Sequence, residues 1–196
     1  MPQNILSVTG ILIAAAITPG PNNFIALDAG ARGVRVAGHA IAAILFGSLI
    51  ILVLTSLGLQ NALRVEPKFG LAIAVLGGGY LAWLGARMMG AAKAWQSYPS
   101  TALPQSFLGI ATFQLLNPKA WALVTTVAAP MADDSNLPVL VALLVGTTSI
   151  CLMLWAAAGA RFHAVLEHPT ARRRFDLAMG SLLIVSASAM VVEALA

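Results

Sequence analysis

Two short stretches of this chain combine helix-stopping residues with side chains able to hold a charged ligand. The first is Thr18-Pro19-Gly20-Pro21-Asn22-Asn23 and the second is Leu116-Asn117-Pro118-Lys119-Ala120-Trp121. Proline removes a backbone donor and clashes with the turn before it, so each stretch splits the helix that carries it into two halves. Asn117 followed by Pro118 reads as an N-cap and a first helical position, the start signal of a new helix. Thr18-Pro19 and Gly20-Pro21-Asn22-Asn23 give the same signal. A half-helix that begins there presents unpaired N–H groups and a partial positive charge, which suit a carboxylate. The half-helix that ends before it leaves carbonyls, which suit an ammonium group. An amino acid carries both charges at close spacing, so the two stretches together fit a zwitterion.

Lys119 adds a formal charge. A cation in the first turn faces the positive end of the helix dipole, and one deep in a bilayer costs at least ~2.5 kcal/mol. Both penalties fall if the amine meets an anion, either a ligand carboxylate or a protein partner, for which Asp28 is the acidic candidate. The alternative is that Lys119 snorkels toward an interface along its stem. Gln114, one turn before Asn117, either lines the same cavity or bonds to another helix. The candidate substrate-binding set is therefore Thr18, Pro19, Gly20, Pro21, Asn22, Asn23, Gln114, Asn117, Pro118 and Lys119.

These residues need elements to hold them, and composition says which kind. Of 196 residues, 59% are hydrophobic and 9% charged, with a mean hydropathy of +0.88. Soluble domains carry roughly 25% charged residues, so this is an all-α integral membrane protein. Charge-free runs from Met1 to Leu27, Val36 to Leu63, Phe69 to Ala86, Trp95 to Pro118, Ser135 to Ala160 and Leu177 to Val192 define six spans. Most reach the ~20 residues that a transmembrane helix requires. The spans run over about 4–30, 37–60, 68–90, 106–130, 137–161 and 174–195. The two breaks lie in the first and the fourth.

The connection 92–105, with Trp95 and Tyr98 beside Lys93 as an interfacial anchor, divides one transmembrane domain over 1–196 into repeats 1–91 and 106–196. Three spans per repeat is an odd number, so the second repeat inserts opposite to the first, as an inverted repeat. Eight Lys and Arg residues (Arg32, Arg35, Arg87, Lys93, Arg161, Arg172, Arg173 and Arg174) fall in the loops after spans one, three and five. Two, Arg64 and Lys68, fall after spans two and four, where Asp133 and Asp134 also lie. That bias makes the odd-numbered loops cytoplasmic and puts both termini on the outer side.

The net charge of +4 does not indicate nucleic acid, because the basic residues sit in short loops beside apolar spans. The single cysteine, Cys151, excludes a disulfide framework. His163 and His168 lack ligand spacing, so no metal site and no cofactor are expected. The N-terminal apolar stretch lacks a positive n-region and reads as a retained helix. Gly77-Gly78-Gly79 with Gly85, and Gly47 with Gly58, read as close-packing faces that also allow a homodimer. Thr147, Thr148 and Ser149 are expected to back-bond within the fifth span, the alternative being to face the cavity.

At these residues the chain resembles the LysE/RhtB family of bacterial amino-acid exporters, the LysE-type translocators. Thr-Pro-Gly-Pro-Asn-Asn at 18–23 carries the resemblance together with the turn from Gly30 to Gly38, Gly78-Gly79-Tyr80-Leu81-Ala82-Trp83-Leu84-Gly85, and Phe113-Gln114-Leu115-Leu116-Asn117-Pro118-Lys119-Ala120-Trp121. The likeness extends over essentially the whole chain and is nearest to the branch with cysteine and O-acetylserine exporters. It implies secondary active export of amino acids or their derivatives across the inner membrane, driven by the proton gradient. Many relatives have Asp where this chain has Asn22. That leaves Asp28 and Lys119 as the titratable coupling candidates.

The expectation is thus a multi-pass inner-membrane exporter whose partners are a small amino acid and membrane lipid, working by alternating access. An ion or metal exporter or a channel would need rings or pairs of acidic, Cys or His side chains within the spans. An intramembrane enzyme would need convergent catalytic groups, and the spans offer none beyond Lys119.

Overall fold

The computed structural model describes residues 2–18, 20–58, 67–91, 103–128, 137–163 and 168–195. Pro19, the anchor residues Lys93, Trp95 and Tyr98, and Arg64, Asp133 and Asp134 lie outside them. The described residues form eight helices and no strand: α1 (Pro2–Ile17), α2 (Pro21–Arg32), α3 (Val34–Ser56), α4 (Pro67–Ala91), α5 (Phe107–Leu115), α6 (Pro118–Ala128), α7 (Leu137–Arg161) and α8 (Pro169–Leu195). Both expected breaks are present, one between α1 and α2 and the other between α5 and α6. Among the described residues, α3 and α7 are each long and apolar enough to cross a membrane. The apolar part of α1 and α2 pass the same test as a pair bent by 60°.

Two of the boundaries that differ from the sequence expectation have a local physical cause. The second span was placed from residue 37, yet α3 begins at Val34, because the turn from α2 is a single residue. Gly33 makes that turn at φ 125°, a conformation that side-chain-bearing residues rarely adopt. The sixth span was placed from 174 with Arg172 in a loop, yet α8 starts at Pro169. Proline suits a first helical turn, and Arg172 Nε pairs with Asp176 four residues on at 3.2 Å, so the arginine run is helical.

Packing gathers around α3 and α7. One apolar cluster joins Phe24 of α2, Ile44 of α3, Leu81 of α4, Phe113 of α5, Leu152 of α7 and Leu183 of α8. A second joins Leu12 of α1, Ile51 of α3, Val124 of α6 and Leu144 of α7. Both central helices serve the two clusters from successive turns of the same face. Helix α2 runs along α7, while α4 pairs with α8 where Gly85 meets Gly180. A Cβ at Gly85 would fall 2.6 Å from the Gly180 carbonyl oxygen, so the expected close-packing role holds there. Gly79, by contrast, faces nothing within 4 Å. Outward positions are apolar: Leu6, Val34, Leu76, Leu108 and Val185 are all more than half exposed. Such surface suits lipid as its solvent and not water.

Candidate functional site

Each break resolves its loose backbone ends with nearby side chains. At the end of α1 the carbonyls of Ala16 and Thr18 lack helical partners, and Asn23 Nδ2 donates to both, at 3.0 and 2.8 Å. At the end of α5, Trp121 Nε1 donates to the Leu115 carbonyl at 2.7 Å. In both cases a residue in the first turns of the second half-helix reaches back to the last turn of the first. Asn117 acts as the N-cap of α6, its Oδ1 accepting from the Lys119 N–H at 3.1 Å. Gly20 opens α2 with extended backbone and no side-chain cap, and Pro21 takes the first helical position.

Three of the carbonyls expected to receive a ligand's ammonium group, those of Ala16, Thr18 and Leu115, are thus already engaged by Asn23 and Trp121. The reason is physical: a helix end buried in apolar surroundings must be satisfied whether or not a ligand is bound. Replacing Asn23 with Leu removes the donor to Ala16 and one of two donors to Thr18. It is expected to destabilise the protein by about 1–3 kcal/mol, read as a lower thermal midpoint in detergent. An unchanged midpoint would mean that the end of α1 needs no such cap.

The two breaks meet. Lys119 Nζ, from the first turn of α6, donates to the Thr18 carbonyl at 2.6 Å, and Asn117 Nδ2 donates to Asn22 Oδ1 at 3.3 Å. Gly20 lies under the amine: a Cβ there would stand 3.1 Å from Nζ. Gln114, expected either at the cavity or in an interhelical bond, does both. Its Nε2 donates to Ser48 Oγ of α3 at 2.7 Å and its Oε1 accepts from Asn117 Nδ2 at 3.4 Å. Gly47, beside Ser48, makes this approach possible, since a Cβ there would fall 2.7 Å from the Gln114 Cβ.

Around this junction lies a cavity of ≈ 40 Å³. Of the predicted residues, Gly20, Pro21, Asn22, Asn23, Gln114, Asn117 and Lys119 line it. Thr18 does not line it; its side chain back-bonds to Ala14 and its carbonyl meets Lys119. Pro118 forms the first residue of α6. Sequence reasoning missed Ser48 and the apolar lining of Ala15, Ala16, Leu123, Val124, Leu144 and Leu152. The one available signal for Ser48 was a Gly-Ser pair inside an apolar run. Thr148, expected to back-bond within its span, lines the cavity instead, whereas Thr147 does back-bond, to Leu143.

Asp28 is not the partner of Lys119. It is buried at the far end of α2, with Arg32 Nε at 3.0 Å and Arg172 at 3.5 Å. Arg172 in turn reaches buried Asp176, so two carboxylates and two guanidinium groups join α2 to α8. Asp176 escaped the sequence reading because it stands next to the arginine run taken as a loop. Compensation among opposite charges is what makes such burial tolerable.

A family model described as LysE type translocator matches residues 13–194. The chain is 30% identical over 118 residues to an uncharacterized membrane protein of Pseudomonas aeruginosa, a match covering 56% of this chain and 55% of that protein. It is 31% identical over 109 residues to a leucine efflux protein of Klebsiella pneumoniae, covering 53% and 51% respectively. These two matches span about half the length of either relative. A cysteine/O-acetylserine efflux protein of Klebsiella pneumoniae is 25% identical over 194 residues, covering 92% of this chain and 93% of that protein. No solved structure matches the chain.

Proposed function

The chain belongs to the LysE type translocator family, and from that premise we propose that it exports an amino acid or a close derivative across the bacterial inner membrane. The observation that carries this reading is the meeting of the two helix breaks around one amine. Lys119 Nζ and the N-terminus of α6, capped by Asn117, offer a positive locus for an α-carboxylate. With the Ala16, Thr18 and Leu115 carbonyls engaged, the amide oxygens of the cavity-lining Asn22 and Gln114 serve as acceptors for the α-ammonium group. The cavity has room for a few waters. A substrate therefore enters only as the helices part, in keeping with alternating access.

The inverted-repeat architecture belongs to the same proposal. Its support is a partial symmetry of the packing when α1–α4 are set against α5–α8, in which several contacts recur while those of α2 with α3 and of α1 with α6 have no mate of like extent. Contact of α2 with α7 has its mate in α6 with α3, and α1 with α7 has its mate in α5 with α3. The pairs α3–α7 and α4–α8 are their own mates. The charge count, with the odd-numbered loops cytoplasmic, gives the orientation. For coupling to a proton gradient, Lys119 is the candidate within the cavity and Asp28 the candidate in the arginine cluster.

Counterflow in proteoliposomes, across a panel of labelled amino acids that includes leucine, cysteine and homoserine, tests the reading. At least one amino acid should exchange, and Asn22→Leu should reduce that exchange. No exchange of any member, or full exchange by Asn22→Leu, would remove the basis for this site.

A further inference from the structure

Thr148 differs from several other hydroxyls in these helices. Thr125, Thr147, Ser48 and Ser56 each turn back to the carbonyl four residues earlier, at 2.8, 2.5, 3.0 and 2.9 Å. That is the usual way for a hydroxyl to be satisfied inside an apolar helix. Thr148 Oγ1 has no hydrogen-bond partner among the described residues, although the residue is only 7% exposed. Thr55 Oγ1 also lacks one, but Thr55 does not line the cavity; Thr148 does. Leu144 and Leu152, one turn to either side on α7, line it with Thr148, so this wall presents one hydroxyl between two aliphatic side chains. Buried polar groups are nearly always partnered. A hydroxyl left over at the wall of a binding cavity points to a partner that arrives with the ligand.

We propose that Thr148 is a specificity-determining residue, which binds a hydroxyl or thiol on the side chain of a transported neutral amino acid and so selects it over its apolar isostere. The inference rests on the export reading of the same cavity. It divides the site by helix: Lys119 and the start of α6 hold the backbone end of the substrate, while α7 reads the side chain. Neutral side chains follow from the lining. Lys119 is the one charged residue among the described residues that line the cavity, so a cationic side chain would find no carboxylate among them. An acidic side chain would compete with the α-carboxylate for a single amine. A site that bonds a substrate hydroxyl rejects the analogue lacking it more strongly than an apolar pocket rejects an added hydroxyl.

The full chain in proteoliposomes and two isosteric pairs, L-threonine with L-valine and L-serine with L-2-aminobutyrate, give the test. In the parent, the hydroxylated member should exchange about tenfold more efficiently than its partner. Thr148→Val, which keeps volume and removes the hydroxyl, should bring that ratio to about one, and Thr148→Ser should retain the preference. A parent that carries both members equally, or only amino acids without a side-chain hydroxyl or thiol, overturns the inference and leaves the export reading standing. So does a Thr148→Val protein with the parent's ratio. A parent that exchanges no amino acid overturns both. If Thr148→Val does not fold, the ratio in the parent decides alone.

Discussion

Lys119→Met should cut amino-acid exchange by roughly 30-fold or more while the protein still folds. Methionine keeps an unbranched, flexible stem and removes the charge, so what is lost is the amine at the junction of the two breaks. That amine donates to the Thr18 carbonyl at 2.6 Å and is half-buried against Gly20. Truncating one partner of a desolvated, hydrogen-bonded charge pair costs about 2–5 kcal/mol, or roughly 30- to several-thousandfold in affinity. The Thr18 carbonyl keeps Asn23 Nδ2 at 2.8 Å, so folding does not depend on Lys119. Removing a cation from beside the positive end of α6 even favours the folded state slightly.

Transport and stability should therefore separate. The thermal midpoint in detergent should hold or rise, while counterflow at limiting substrate falls by roughly 30-fold or more. Exchange at the parent's rate by a folded Lys119→Met protein would mean that the amine is structural and that the carboxylate binds elsewhere. Lys119→Arg is a finer probe. It keeps the charge, but a branched planar head must fit where a compact ammonium packs over Gly20, so only partial exchange is expected.

A second large effect lies away from the amine, where α2 and α7 cross. Gly30 packs on the backbone of Ala156, and Gly159 packs on the backbone of Leu27, each glycine opposite the other helix's main chain. A Cβ at either position would overlap the carbonyl group and Cα facing it. No rotamer change relieves a clash with backbone, so Gly30→Ala or Gly159→Ala must push the helices apart. Overpacking of this kind costs about 3 kcal/mol or more, at the upper end of its range.

The cavity shares the damage, because α2 carries Asn22 and Asn23 and α7 carries Thr148. Either substitution should sharply reduce the yield of monodisperse protein on size exclusion and lower the midpoint of what remains. Gly10→Ala and Gly146→Ala are the controls. A Cβ at those glycines meets nothing within 4 Å, and each sits inside a helix, where Ala is favoured over Gly by roughly 0.5–1 kcal/mol. If all four variants behaved alike, the α2–α7 contact would not be the close approach described.

How far the site could be read in advance depends on the distance over which each feature is encoded. Both breaks were legible because proline, glycine and asparagine act on their own turn. Pro118 stops α5 and starts α6, and Asn117 caps it two residues away. The apolar runs were legible because hydropathy is a property of consecutive residues, although the boundary at α8 slipped when an Arg172–Asp176 pair made helix of a supposed loop.

What brings the site together joins residues far apart in the chain: Ser48 with Gln114 across 66 positions, Asn22 with Asn117 across 95 and Thr18 with Lys119 across 101. No local pattern distinguishes Thr147, which bonds its own helix, from Thr148, which faces the cavity one residue later. The difference is 100° of helical rotation, and packing sets its direction. The same holds for Asp28, whose partners Arg32 and Arg172 come from its own helix and from α8. The sequence by itself determined that this chain is helical, apolar and broken at two points. Only the tertiary structure decided that the breaks meet, that Lys119 joins them and that Asp28 belongs elsewhere, because helix packing assigns partners across the bundle that no neighbouring residue specifies.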